Sequence, residues 1–293
     1  MFVITGATGN IGSKIAKGLL EKGKKVKAIV RNPAKANDLQ GAELAVGDVT
    51  DVNFLTEAFK GATAVFAMVP PNPVAADAVA YISETGYVLV DAIKASGVKN
   101  VIALSSAGAD LTEKNGVVKG LYYFEQKLKE LKDVNVLILR PSYFMENLFT
   151  SIPVIKHMGI NGTSIKKDVA IPVVATKDIA DRAIAHFLSL SFKGIQIEYL
   201  LGPKDVTYTE ITAVLGKAIN KPELPYVEFK YEDSVKAMVG VGLSESYAQG
   251  LVELQKSINE GILYPAGLRT KENTTPTSVD DFAPLFAKGF NQN

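Results

Sequence analysis

The chain has 293 residues, 47% hydrophobic and 22% charged, with a net charge of +1; it can bury a sizeable core, and this excludes disordered, fibrous and membrane classes. Its basic residues are scattered among acids, so neither nucleic acid nor a membrane surface is an expected partner. With no cysteine and only two histidines, disulfides, thiolate catalysis and cysteine-ligated metals are excluded, and no metal site is expected.

The first apolar run, Phe2-Val3-Ile4, begins at residue two without a leader-like segment before it. No apolar stretch approaches the roughly 18 residues of a membrane span, so a cytoplasmic location is expected. From here to about residue 140, β-branched runs alternate with segments of helical period. The spacing predicts strands over 2–5, 26–30, 43–46, 64–69, 101–105 and 134–139, and helices over 10–22, 51–59, 79–96 and 119–132. That alternation is the signature of βαβ units, and hence of an α/β Rossmann-type, doubly wound parallel sheet. Beyond Pro141, Gly, Pro and Asn become frequent, and helices over 178–189, 209–220 and 245–260 flank a strand over 195–200. We read residues 1–151 as a nucleotide-binding domain to which 173–203 return. Residues 152–172 and 204–293 then form a smaller C-terminal α+β substrate lobe. His186 falls on the polar face of its helix and is expected to be solvated; a pocket-lining role for His157 is open.

The first strand runs into Thr5-Gly6-Ala7-Thr8-Gly9-Asn10-Ile11-Gly12, at the mouth of the first helix. Glycines at this strand–helix junction let a backbone approach a pyrophosphate, whose charge meets free N–H groups at the helix start. Gly6, Thr8, Gly9, Asn10, Ile11 and Gly12 are therefore candidate cofactor-binding residues. The end of the second strand selects the dinucleotide: an acid would hold a ribose 2′-hydroxyl, whereas a cation holds a 2′-phosphate. Here stands Arg31, one of only four arginines, followed by Lys35. The expected cofactor is therefore NADP(H). Asp48, past the third strand, is placed either to accept from the adenine amino group or to cap the next helix.

Parallel sheets of this kind bind ligands at the carboxyl ends of their strands. This adds Met68 and Val69 at the end of the fourth strand and Ser105, with Ser106 as an alternative, at the end of the fifth. Pro70, in the stiff run Pro70-Pro71-Asn72-Pro73, is a candidate acceptor contact. On the helix after the fifth strand, Tyr123 and Lys127 are four apart and share a face, which suits a proton-donating Tyr assisted by a Lys. These two are the candidate catalytic residues. Composition alone produces such pairs, and Tyr226 with Lys230 is a second one.

The Thr-Gly-Ala-Thr-Gly-Asn-Ile-Gly opening, Val30-Arg31-Asn32-Pro33, Gly47-Asp48 and Leu139-Arg140-Pro141-Ser142-Tyr143-Phe144-Met145-Glu146-Asn147 together resemble the NmrA-like family of atypical short-chain dehydrogenases, across nearly the whole chain. The resemblance implies an NADP-binding fold. It further implies that Pro141, Tyr143 and Phe144 lie beside the nicotinamide, and that Lys127 faces the cofactor. Tyr143, Phe144, Asn147 and Pro70 would then line the acceptor pocket. The expected activity is NADPH-dependent hydride transfer to a quinone-like or other electron-poor carbonyl or conjugated small molecule. Two other readings share the fold: a non-catalytic NADP(H) sensor acting through protein contacts, and an NAD-dependent sugar-nucleotide epimerase, which Arg31 opposes. The partner expected is a small-molecule acceptor, and a homodimer is open.

Overall fold

The computed structural model describes residues 1–292. Its first half follows the predicted alternation: β1 (Phe2–Ile4), α1 (Gly12–Glu21), β2 (Val26–Val30), β3 (Glu43–Val46) and α2 (Val52–Phe59). Then come β4 (Ala64–Ala67), α3 (Ala78–Ser96), β5 (Asn100–Leu104), α4 (Lys119–Lys129) and β6 (Asn135–Pro141). Beyond lie β7 (Tyr143–Phe144), α5 (Ile152–Met158), β8 (Asn161–Thr163), β9 (Ile171–Val174), α6 (Thr176–Ser189) and β10 (Ile195–Leu200). The chain finishes with β11 (Asp205–Val206), α7 (Tyr208–Ala218), β12 (Tyr226–Glu228), α8 (Tyr231–Gly240), α9 (Glu245–Asn259) and α10 (Val279–Gln292).

Seven strands form one sheet in the order β10-β6-β5-β4-β1-β2-β3, every neighbouring pair parallel. Side chains alternate across it, so each apolar run feeds two cores. Phe2, Ile4, Ala28, Val30, Phe66, Ile102 and Leu139 meet α1 and α6 on one face. Val3, Ile29, Val65, Ala67, Val101, Ala103 and Ile138 meet α2, α3 and α4 on the other. This two-sided burial explains why the central strands carry almost no polar residue. The doubly wound parallel architecture is the expected one. β10 returns to the sheet beside β6.

A third core holds Met145, Ile155, Ile171, Tyr208, Leu215, Phe282 and Phe286, drawn from the short strands, α5, α7 and α10. β7 and β9 pair parallel and β11 joins β9 antiparallel. The loop before α4 joins this part to the sheet. Gly116, at φ +49°, stands against the Gly250 carbonyl of α9 so closely that a Cβ would lie 1.9 Å from its oxygen, a position only glycine fills. No helix among the described residues is long and apolar enough to cross a membrane.

Candidate functional site

Because the sheet is parallel, Thr5, Met68, Ser105 and Pro141 all lie at its C-terminal edge. Thr5 locks two of these strand ends together: its hydroxyl donates to the Phe66 carbonyl at 2.9 Å and accepts from the Met68 N–H at 2.9 Å. The Met68 side chain then packs over Gly6, whose φ of +60° sets the sharp exit from β1. Gly9 closes the turn, its N–H donating to the Gly6 carbonyl at 2.9 Å. Gly12 packs so tightly beneath this turn that a Cβ would stand 2.3 Å from the Gly6 oxygen. At the start of α1, Ile11 makes no side-chain cap and the first turn has no acid. α2, α3, α7 and α9 are capped by Asp51, Asp77, Thr207 and Ser244, whereas α4, α5 and α8, like α1, carry no cap from the residue before them. Among the described residues no side chain meets the N–H groups of α1, and the dipole's positive end faces the turn.

Arg31 and Lys35 follow β2 beside this turn, both exposed and neither in an ion pair among the described residues. Asp48 accepts from the Thr50 N–H at 2.9 Å and the Thr50 hydroxyl at 2.8 Å. The Thr50 bonds, and to a smaller extent the Arg31 charge, hold its carboxyl below the ordinary range, so it is anionic at neutral pH. The helix-cap alternative for Asp48 does not hold, because Asp51 fills that role for α2.

The catalytic pair expected on α4 is not brought to this edge. α4 buries Gly120, Phe124, Glu125 and Leu128, which turns Tyr123 and Lys127 outward. Tyr123 is exposed against the Tyr122 ring. Lys127 pairs with Glu130 at 2.6 Å, and that hydrogen bond raises its pKa. Its neighbours around one groove include Lys94, Gly97 and Lys99, which precede β5, and Leu131, which precedes β6; they mark the opposite, N-terminal edge of the sheet. The expectation that Lys127 faces the cofactor is corrected accordingly: its position in the last turn of a helix running away from the site carries it the length of the strands.

Ser105 is engaged within the protein. Its buried hydroxyl donates to Glu125 Oε1 at 2.6 Å. Glu125 is fully buried and receives Arg140 in a two-point grip, Nε to Oε1 at 2.9 Å and Nη2 to Oε2 at 2.6 Å. Arg140 also donates to the Tyr199 hydroxyl at 2.8 Å and approaches Asp110 at 3.6 Å. Burial opposes the Arg140 charge, and Glu125 outweighs it, so the guanidinium stays protonated. Sequence reasoning missed this network, which ties the ends of β5, β6 and β10 to α4.

The remaining walls come from two directions. Phe144 and Met68 pack against the core that contains Ala7 and Ile11. Val69 packs with Ile82, Tyr247, Leu251 and Leu254, so α9 closes over the loop after β4. Two bonds pin it there, Ser244 N–H to the Pro73 carbonyl at 2.8 Å and Ala78 N–H to the Ser246 hydroxyl at 3.0 Å. Pro70 is half-buried, and Asn147 is exposed with its carbonyl bonded by Thr150. Pro141 ends β6, where its carbonyl accepts from Ala107. Neither histidine enters the site. His157 is exposed on α5, and His186, expected to be solvated, instead shares Glu198 with Arg182, at 2.7 and 3.1 Å.

Four tyrosines gather in the third core. The Tyr208 hydroxyl donates to the Tyr143 hydroxyl at 3.0 Å, Tyr208 stacks on Tyr226 at 5.0 Å, and Tyr264 lies against the Tyr143 backbone. Burial raises the pKa of all four and of Tyr199 and Tyr247. The unfolded chain would ionise these phenols near pH 10, whereas the folded chain keeps them neutral. Their contribution to stability is therefore complete below about pH 10 and is lost as pH rises through the higher folded values. In an alkaline titration followed at 295 nm, the innermost of them, Tyr208, is expected to ionise only as the far-ultraviolet circular dichroism collapses. All 11 tyrosines ionising reversibly with the dichroism intact would contradict their burial.

A family model described as the NmrA-like family matches residues 1–282. An NAD(P)H azoreductase from Xenophilus azovorans is 28% identical over 256 residues, 87% of this chain and 86% of that one. Among solved structures, an NADPH-dependent quinone oxidoreductase from Escherichia coli, complexed with NADPH, gives a TM-score of 0.81 at 26% identity. That match covers 97% of this chain and 98% of the other. The fold is shared also with Citrobacter triphenylmethane reductase, at a TM-score of 0.79 and 20% identity over 98% of this chain and 99% of that one. With the glycine turn, the open helix start and the parallel sheet in the same order along one continuous match, the chain belongs to the NmrA-like family.

Proposed function

We propose that this protein is an NADPH-dependent reductase that delivers a hydride to a flat, electron-poor small molecule such as a quinone, an azo compound or a dye. It is an NAD(P)H-dependent oxidoreductase of its family; the phosphorylated cofactor and the acceptor class are argued from its own residues. The carrying observation is the juxtaposition of an α1 that no side chain caps among the described residues, a Gly6–Gly12 approach that a single Cβ would fill, and an exposed Arg31 just past β2. A diphosphate suits the first two and a 2′-phosphate the third.

In this reading the N–H groups at the head of α1 hold the diphosphate, and Arg31 with Lys35 holds the adenosine phosphate. Bound NADPH supplies the hydride equivalent. Met68, Val69, Phe144 and Tyr143 give the acceptor an apolar, aromatic seat that excludes water and suits a planar ring. Acceptors of this kind take a hydride without help from a metal, and no cluster able to hold one occurs among the described residues.

Thermal shift with NADPH and with NADH tests the cofactor assignment. A ligand at a hundred times its dissociation constant adds about 2.7 kcal/mol of stability. NADPH is expected to stabilise the wild type more than NADH. In Arg31→Ala the NADPH advantage should disappear, since a charge-assisted phosphate contact contributes about 1.5–3 kcal/mol, roughly 10- to 100-fold in affinity. Equal shifts with both cofactors in the wild type would remove the 2′-phosphate assignment. A panel of quinones, azo compounds and dyes, followed by NADPH absorbance, tests the acceptor class.

A further inference from the structure

We infer that Tyr143, held in place by Tyr208, is the proton donor to the acceptor's oxygen; the inference rests on the reductase reading above. Tyr123, the residue expected to donate, cannot do so from the outer face of α4, where Lys127 also lies. Tyr143 stands at the C-terminal edge instead, directly after the end of β6 and beside Phe144. Its half-buried ring is fixed by the parallel pairing of β7 with β9 and by an edge-on contact with Tyr208, 6.5 Å between centroids.

The direction of the hydrogen bonds matters most. Tyr208 donates to Tyr143, so the Tyr143 oxygen is an acceptor in that bond and its own O–H points elsewhere. That hydrogen has no acceptor among the described residues. A half-buried donor without a partner costs free energy unless a ligand or water accepts from it. Tyr208 is firmly anchored behind it, being 1% exposed and stacked on Tyr226, whose hydroxyl donates to the Ile165 carbonyl at 2.6 Å. The phenols are neutral at physiological pH, so Tyr143 has a proton to give.

The step balances. An acceptor that gains a hydride at carbon shifts its π electrons onto oxygen, and that oxygen takes the Tyr143 proton. The phenolate left on Tyr143 is stabilised by the Tyr208 hydroxyl and regains a proton from solvent when the product leaves. A cationic triarylmethane dye needs no such proton, since hydride addition to its central carbon already gives a neutral product.

The experiment is Tyr143→Phe, assayed with one quinone and one cationic triarylmethane dye, alongside NADPH binding by fluorescence. Removal of a positioned general acid lowers the rate by about 10²- to 10⁴-fold. The variant should lose roughly 100-fold in kcat/KM for the quinone, and that loss should exceed any loss for the dye by at least about tenfold. With oxidised cofactor bound and no turnover, binding of 4-nitrophenolate, an oxyanion mimic read by its absorbance, should weaken about tenfold. Tyr208→Phe keeps the donor but frees its ring, and should give a smaller loss confined to the quinone. Equal losses for quinone and dye, no loss for either, or unchanged nitrophenolate binding would overturn the assignment. Failure of the wild type to bind NADPH or reduce any acceptor would instead overturn the reductase reading.

Discussion

Replacing Glu125 with Gln is expected to destabilise the fold by about 3–5 kcal/mol, the range for breaking one partner out of a buried ion pair. The amide would keep a bond from Ser105 or from Arg140 but would leave the guanidinium charged in a place that is 4% exposed. Asp110, half exposed and 3.6 Å away, is too solvated to substitute for Glu125. Lys129, 3.8 Å from the lost carboxylate, would be released. Urea unfolding measures the cost. A double variant, Glu125→Leu with Arg140→Met, removes both charges together and should lose less than Glu125→Gln alone. A single-variant loss under about 1 kcal/mol would mean that water reaches the pair. The consequence for function is positional, since the network ends three strands at the edge from which the Ser105–Gly108 and Pro141–Phe144 segments depart.

The same residue shows where sequence reasoning stopped. The parallel sheet was legible because strands buried on both faces must be apolar throughout, as in Ala64–Ala67 and Val101–Leu104, and because the glycine turn marks a strand–helix junction. On α4 the pattern was misleading. A Glu in an amphipathic helix reads as the solvent face, yet Glu125 is interior because Arg140, fifteen residues on and on another element, neutralises it. Assigning Glu125 inward rotates the helix and sends Tyr123 and Lys127 out. No local spacing carries that information.

The short strands β7, β9 and β11 escaped for a related reason: at two to four residues they have no period of their own, and only pairing across the fold defines them. α10 was hidden by Pro284 inside it, which reads as a helix breaker. Its apolar face, Val279, Phe282, Ala283 and Phe286, supplies the packing that offsets the lost bond. The tyrosine group was legible only in part, because Tyr143 lies in the segment after β6, whereas Tyr208 and Tyr264 reach it from remote sequence.

Gly12→Ala is the change expected to affect cofactor binding most. The added Cβ would meet the Gly6 oxygen at 2.3 Å, the Gly6 carbonyl carbon at 2.7 Å and the Thr5 oxygen at 3.1 Å. These are backbone atoms at the end of a central strand, so neither side can yield as a flexible side chain would. Overpacking of this kind costs about 1–3 kcal/mol of stability. The larger effect falls on the turn, since moving Gly6 away from α1 displaces the N–H groups that would meet the diphosphate. We expect NADPH affinity to fall by at least roughly 100-fold, equivalent to about 2.7 kcal/mol. Gly9→Ala provides the control, because there the Cβ meets only the Gly6 oxygen, at 3.3 Å. It should fold with near wild-type stability and bind NADPH better than Gly12→Ala. Wild-type NADPH affinity in a folded Gly12→Ala would mean that the diphosphate is held elsewhere, because a cradle this close cannot admit a methyl group and keep its shape.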